Sequence, residues 1–400
     1  MHLSTDTPVV IGNLMLGRCF TIAKVPFIGI TSRGDLRITY SRQCIQGYEM
    51  PNPEANVEGA FLWLQHLVET IGTGHPFFCS NDAHLKMLLK YWTEMRQMFR
   101  FVTVEKPVLE AILDKEQFIA FSREHSLPLP RTWTAEEIQR AEQIPFPVMV
   151  KPIIRLQWFE SQAVKKYGGK KHKGLLIHKE EQLSDVVQLL NKEKIKFVVQ
   201  QYIPGDESHI YSFHSFYTED SRPLGYFVGQ KIRTYPIDYG QSCALRLTDF
   251  PGIVEMSLDI LHRIRFKGPI KIDYKLDPRD GKLYLLELNP TRFNMWHYLG
   301  ARGGVNIPYL AYRYLTGKPP STVHGHWRKD IVWFNVFDDL QAYWDLKKAG
   351  RITFLEWLKS YRGKRIYKTW AIDDLKPVWY GIRMTIKGAL RRLKRLLVTA

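Results

Sequence analysis

Residues 269–290 read PIKIDYKLDPRDGKLYLLELNP: two apolar-rich runs joined by the turn signal DPRDG and stopped by a proline. Such a pair is a β-hairpin. A hairpin cannot stand alone in water, so the chain must supply further strands to pair with it and a core to cover one of its faces. If the turn centres near Asp280, residues whose numbers sum to about 560 lie opposite each other, which sets Asp273 against Glu287. Asn289 lies two residues beyond Glu287 and points the same way, because strand side chains alternate with period two. Pro290 blocks further pairing and frees the Glu287 end to project into a cleft.

Two facing carboxylates repel unless something positive lies between them. The donors are all oxygen, which favours a hard cation. Magnesium (Mg2+) takes one or two carboxylates, with phosphate oxygens and water completing its shell. The plain alternative is a solvated hairpin whose acids meet Lys271 and Lys275. Upstream, Lys115, Lys151 at the end of the buried strand FPVMVKP, and the basic glycine loop KKYGGKKHKG (165–174) with Gly168, Gly169 and Lys170 supply phosphate-binding chemistry. A lysine acts as a point charge on a polyphosphate, and a glycine-bearing loop brings backbone N–H groups close to its oxygens.

The rest of the chain frames these features. PVVIGNLML and VPFIGITS are short apolar runs one helix length apart, followed by the helix GAFLWLQHLVETIG and by another strand and helix in HPFFCSNDAHLKMLLKYW. That alternation opens an α/β sheet. The glycines at 12 and 17 fit a tight strand-to-helix turn as well as a nucleotide loop. KPVLEAILDKEQFIAFSREH predicts two helices, KFVVQQYIPG a buried strand, and SHIYSFHSFYT with LGYFVGQKIRTYP antiparallel strands. On the last of these, Lys231 and Arg233 stand two apart and are expected on one face. After TGKPPS (316–321) the chain reads as helical and increasingly basic.

With 400 residues, 45% of them hydrophobic, the chain can bury a large core in two or three domains. The four cysteines have neither metal-ligand nor C-x-x-C spacing, so neither a zinc site nor a disulfide framework is indicated. The N-terminus carries no basic leader and no apolar window is long enough to span a membrane, so a cytoplasmic location is expected. Residues 340–400 hold 15 Lys and Arg against 4 Asp and Glu, leaving +11 of the net +17 in the tail. There, Trp379, Ile382, Ile386, Leu390, Leu393 and Leu397 recur at helical spacing, with Arg383, Lys387, Arg391 and Lys394 opposite. Two readings stand for residues 376–400: a helix docked on the body, or one lying on an anionic membrane, peripheral on its inner face. Nucleic acid is not an expected partner.

Taken in order, the glycine-bearing first strand, the LDK lysine, VKP, the basic glycine loop, VVQQYIPGDES, GQKIRTYP and the acid hairpin ending in ELNP resemble the ATP-grasp superfamily, in particular bacterial carboxylate-amine ligase-like proteins. The resemblance covers roughly residues 8–315. It implies an α/β (α+β) chain: a Rossmann-like pre-ATP-grasp domain (1–106), an ATP-grasp domain (107–320; small lobe about 125–203, large lobe about 204–320) and a helical basic C-terminal region (321–400). It implies ATP between two sheets, with Lys115 and Lys151 on phosphates or adenine, and the loop of Gly168, Gly169 and Lys170 closing over them. Gln201, Tyr202 and Ile203 would hold the adenine edge through the backbone, although an ordinary core strand has the same pattern. Glu207 would take the ribose, and Asp273, Glu287 and Asn289 magnesium. Lys231, Arg233 and Arg292 would stabilise the reacting phosphoryl or acyl group.

Two positions depart from the family pattern. Aspartate stands at 273 where glutamate is usual, and Thr291 separates Asn289-Pro290 from Arg292. The reaction implied joins a small-molecule carboxylate to an amine through an acyl phosphate. The alternatives are a kinase-like phosphotransferase and a non-catalytic ATP-binding protein at a membrane. Phe293, Trp296, His297 and Tyr298 offer contacts to substrate, or core.

Overall fold

The structure, a computed structural model, describes residues 3–398 apart from residues 33, 142, 155–157, 169–173 and 239, and describes no side chain from 388 onward. The first unit alternates strand and helix: β1 (Val9–Ile11), α1 (Leu14–Ile22), β2 (Phe27–Thr31), β3 (Cys44–Glu49), α2 (Val57–Ile71), β4 (His75–Cys79), α3 (Asp82–Lys90), α4 (Trp92–Met98) and β5 (Phe99–Arg100). Its five parallel strands run β3-β2-β1-β4-β5, the Rossmann-like arrangement. Strands β1, β2 and β4 are buried at every position. This is why they read as continuous apolar runs rather than as alternating ones. Asn13 ends the β1 turn by capping α1, its side chain accepting from the Met15 and Leu16 amides.

Two helices, α5 (Lys106–Leu113) and α6 (Lys115–Glu124), lead into a small antiparallel sheet. Its elements are β6 (Thr132–Thr134), α7 (Ala135–Gln139), β7 (Val148–Pro152), α8 (Gln162–Tyr167), β8 (Leu175–Ile177), α9 (Glu180–Lys192) and β9 (Phe197–Gln201), with strand order β6-β9-β7-β8. Helix α9 buries Leu183, Val186 and Leu190, a spacing of three and four that lays one stripe on this sheet's core.

A larger sheet follows: β10 (Ile210–Tyr217), β11 (Pro223–Tyr235), β12 (Gln241–Thr248), α10 (Pro251–Arg263), β13 (Gly268–Leu276), β14 (Leu283–Pro290), α11 (Trp296–Gly303) and α12 (Ile307–Leu315). Beyond residue 320 the chain is not purely helical. It adds β15 (Ile331–Phe334), α13 (Val336–Lys348), α14 (Phe354–Lys359) and β16 (Lys364–Tyr367) before α15 (Lys376–Val398). The seven strands run β14-β13-β10-β11-β12-β15-β16. The exposed edge of β12 recruits β15, whose four residues are all buried, a pairing that local helix propensity cannot announce.

One core runs from Met15, Phe20 and Phe78 of the first unit into Phe227, Leu245, Trp296 and Leu299 of the large sheet and α11. The Phe78 and Phe293 rings meet at 5.2 Å, so the N-terminal sheet and the large sheet are packed as one body. The tail is pinned as well. Buried Arg18 donates to Asp374 and to the Lys368 and Thr369 carbonyls, and Tyr380 at the start of α15 stacks on Tyr40 with centroids 4.2 Å apart. The first turns of α15 are therefore docked on the body. The expected residues Leu390, Arg391, Leu393, Lys394 and Leu397 lie outside the described side chains.

Candidate active site

In the hairpin, β13 and β14 pair with Asp273 directly opposite Glu287 and Lys271 opposite Asn289. The register shifts just after Asp273, so the turn-centred arithmetic holds at the functional end. Asn289 donates from Nδ2 to Glu287 Oε1 at 2.9 Å. Asp273 is buried and doubly held, with Lys271 Nζ at 2.5 Å from Oδ2 and Ser212 of β10 donating to Oδ1. Burial would raise the Asp273 pKa, but Lys271, Lys231 and the bond with Glu287 outweigh it and hold the carboxyl well below the usual range. It is therefore an anion at neutral pH. Glu287 itself is exposed, at the open end of the pair.

Three lysines, Lys231, Lys271 and Lys151, act on these acids. Lys231 of β11 feels Asp273, Glu287 and Glu207, yet its burial lowers its pKa. Among the described residues it forms no hydrogen bond, which leaves its ammonium available to a ligand anion. Lys271 is half-buried, but there Asp273 and Glu287 outweigh the desolvation and its pKa rises. From the small sheet, Lys151 at the end of β7 donates to Gln200 Oε1 at 2.6 Å. Burial brings its pKa down to about 8, against the attraction of Glu287 and with the help of Lys115 and Lys275. Lys275 of β13 reaches Tyr202 and Gly205 just beyond β9, so the small sheet and the large one border a shared cleft. Lys115, at the start of α6, donates to the Pro152 carbonyl beside it.

The irregular segment that follows β9 borders the same cleft through Tyr202 and Gly205. The Gln201 amide donates to the Arg131 carbonyl at 2.7 Å and the Tyr202 amide to the Pro147 carbonyl at 3.2 Å. The buried Ile203 amide has no backbone partner among the described residues. Of the three, only Ile203 offers a main-chain donor. Lys275 lies 5.5 Å from the Tyr202 ring centre and donates to the Gly205 carbonyl at 2.7 Å. Glu207 accepts from Thr234 Oγ1 at 3.0 Å. Gly168 ends α8, its amide donating to Val164; Gly169 and Lys170 lie outside the described residues.

Arg233 does not share a face with Lys231. The β11–β12 register shifts on both sides of Arg233, and this bulge turns Thr234, not Arg233, toward Glu207. Arg233 is instead buried against α13, with Nε 2.7 Å from Asp339 Oδ1. Asp339 also accepts from Trp357 Nε1 at 2.9 Å and Tyr361 OH at 2.7 Å. Arg233 is thus committed to a structural ion pair.

The extra residue before Arg292 is absorbed locally. Thr291 takes φ +60°, a left-handed conformation that costs a β-branched residue energy. Thr291 Oγ1 lies 2.7 Å from Thr103 Oγ1, and its amide donates to the Pro269 carbonyl at 2.8 Å. The kink brings the Arg292 guanidinium back onto Asn289 Oδ1 and beside Asp82 of α3. Phe293, Trp296, His297 and Tyr298, by contrast, are all at most 4% exposed and belong to the core. Trp296 packs so closely on β11 that a Cβ at Gly229 would come within 2.4 Å of its ring.

The donor set fits a nucleotide-borne hard cation. Asp273, Glu287 and Asn289 offer only oxygen ligands. Among the described residues no group of three or more His, Cys, Asp and Glu is placed to hold a metal by itself, so an ion here needs oxygens from a bound phosphate. Sequence reading did not single out Ser212, Thr234 or Asp82, whose roles depend on long-range pairing; Lys271 and Lys275 appeared only as partners of the hairpin acids.

No family model matches the chain. A D-aspartate ligase from Enterococcus faecium is 22% identical over 220 residues, 52% of this chain and 51% of that protein. The chain thus aligns with about half the length of that curated relative. Among solved structures, the biotin carboxylase domain of Hydrogenobacter thermophilus 2-oxoglutarate carboxylase, in complex with MgADP, ADP and bicarbonate, superposes with TM-score 0.58 at 15% identity, over 82% of this chain and 73% of that one. An L-amino acid ligase from Bacillus licheniformis does so with TM-score 0.55 at 15% identity, over 78% and 75%. With its parallel N-terminal sheet, its small antiparallel sheet, its larger and mostly antiparallel one and these likenesses, the chain has the ATP-grasp fold.

Proposed function

We propose that the protein is an ATP-dependent ligase that joins a small-molecule carboxylate to an amine, releasing ADP and phosphate. The observation that supports this most directly is the Asp273–Glu287 cross-strand pair facing Lys151 across the cleft, with Lys231 and Lys271 on the same wall. ATP fits between the sheets, with Lys115, Lys151 and Lys231 toward its phosphates, Ile203 toward the adenine edge and Glu207 toward the ribose. Asp273, Glu287 and Asn289 would hold magnesium, which when bound neutralises charge on the phosphoryl group being transferred.

The chain's own residues do the rest by position. Lys231, half-buried and with no hydrogen bond to its ammonium among the described residues, meets the phosphoryl oxygens at no cost in broken bonds. Lys271 and Ser212 hold Asp273 as a fixed anion. Arg292, returned to the cleft by Thr291, is placed for the substrate carboxylate and the acyl phosphate formed from it, where charge-assisted donation is strongest. No side-chain nucleophile is needed, since the amine displaces phosphate directly.

Both named ligase likenesses are to proteins that act on amino acids, which supports an amino acid as one of the two substrates. For the domains, we propose units at 1–106 and 107–320, with residues 321–400 completing the large sheet and ending in the basic helix. A peripheral membrane location rests on exposed apolar and basic side chains of the C-terminal region. No helix of the described residues is long and apolar enough to cross a membrane. The deciding measurement is ADP release from magnesium-ATP across a panel of amino acids paired with amines, with Glu287→Ala as the blank. Release that needs both partners supports the ligase. Turnover to a phosphorylated product without amine would replace it with a phosphotransferase.

A further inference from the structure

Helices α13 and α14 present an apolar face that no other part of the described chain covers. Of the large hydrophobic side chains left exposed among the described residues, seven lie before residue 336 and fourteen between Val336 and Ile386. On α13 the exposed Val336, Leu340 and Trp344 recur every four residues, beside Phe337 at 78% exposure. Asp339, Ala342 and Tyr343 point inward from the same helix. On α14, Phe354, Leu355 and Leu358 are exposed while Trp357 reaches in to Asp339. The shared Asp339 therefore locks both helices with their apolar rows outward. Between them and β16 opens a groove of about 880 Å3, lined by Leu340, Leu358, Tyr367 and Trp370 and edged by Arg362 and Arg365. Monomeric proteins rarely leave so much contiguous apolar surface without a partner.

We propose that this face docks on an anionic lipid bilayer. The charge around it favours that occupant. Lys347, Lys348, Lys359, Arg362 and Arg365 lie on the same segment, and residues 376–400 add seven Lys and Arg with no Asp or Glu. On α15, Trp379, Ile382 and Ile386 are likewise exposed beside Arg383 and Lys387. Of the six acids between Val336 and Ile386, Asp339, Asp373 and Asp374 pair with Arg233, Arg302 and Arg18. Asp338 accepts from Asn335 and Glu356 caps α14 through Thr353, and Asp345 is the sixth. Aromatic and aliphatic side chains enter the boundary between headgroups and acyl chains, and lysine and arginine gain from anionic headgroups. A second copy fits less well, because two-fold pairing of this face would set two positive fields against each other.

The test is sedimentation of the full chain with vesicles of phosphatidylcholine, with and without about one third phosphatidylglycerol. Binding to the anionic vesicles alone is expected. The double variant Phe337→Ser/Leu355→Ser, which changes two exposed positions and should leave the circular dichroism unchanged, should weaken that binding by about tenfold or more. The proposal is overturned if the wild type does not bind anionic vesicles, if it binds neutral ones equally, or if the double variant binds undiminished. It is also overturned if the wild type is a dimer that this double variant dissociates, since the face then belongs to a second copy.

Discussion

Asp273 and Glu287 face each other across the β13–β14 hairpin, and Asp273 alone of the two is clamped by Lys271 at 2.5 Å. One acid is thus a fixed, buried anion; the other is exposed and accepts from the Asn289 amide. Glu287→Gln should lower the rate of ADP release about a hundredfold. Its exposure means that the melting temperature should hardly move. A large loss of stability would show that Glu287 is structural.

Lys151 supplies a pH signature. With its pKa brought down to about 8 by burial, it loses its proton as pH rises through that value, so nucleotide affinity should weaken there. Stability moves the other way. The unfolded lysine stays protonated up to its ordinary 10.5, so between these values the unfolded state holds the extra proton and this group's contribution to stability rises with pH. Titration calorimetry with an ATP analogue from pH 7 to about 9.5 should show the affinity inflection, and Lys151→Met should remove it.

Arg233 and Asp339 form a buried pair at 2.7 Å. Asp339→Ala would strand the guanidinium and three further donors, Trp357, Tyr361 and the Cys243 thiol, which costs about 3–5 kcal/mol, measurable by denaturant unfolding. The paired change Arg233→Met/Asp339→Leu should cost less than either alone and leave ADP release within about threefold, whereas Lys231→Met should lower it about a hundredfold. Equal losses in the two would return Arg233 to the reaction.

Thr291 holds its left-handed turn through the 2.7 Å contact with Thr103. Thr291→Ala keeps the strain and orphans the buried Thr103 hydroxyl, at about 1–3 kcal/mol. Because the same turn aims Arg292, ADP release should also fall, and Arg292→Lys alone should lower it as well, since a lysine lacks the planar fork. Full activity in Thr291→Ala would separate the kink from the chemistry.

Much of the fold was legible because it is local. Buried parallel strands announce themselves as unbroken apolar runs, as VVI and FIGIT do at β1 and β2. The hairpin register followed from one turn and a period of two, enough to oppose Asp273 and Glu287. The unread parts depend on distant pairing. The bulge that parts Lys231 from Arg233 is written in the match between β11 and β12, and β15 joins the sheet only because β12 leaves it an edge. Nor does any short-range pattern connect Ser212 to Asp273, 61 residues away.

Residue order by itself determined the buried strands of the N-terminal sheet, the hairpin with its oxygen-only chemistry and the concentration of positive charge in the tail. These depend on side-chain type and on spacing within about one turn or strand. Tertiary structure alone decided which charges are free. Whether an arginine is spent on Asp339 or a lysine is left without a hydrogen bond depends on what burial places beside it, and desolvation and pairing are properties of the packed chain.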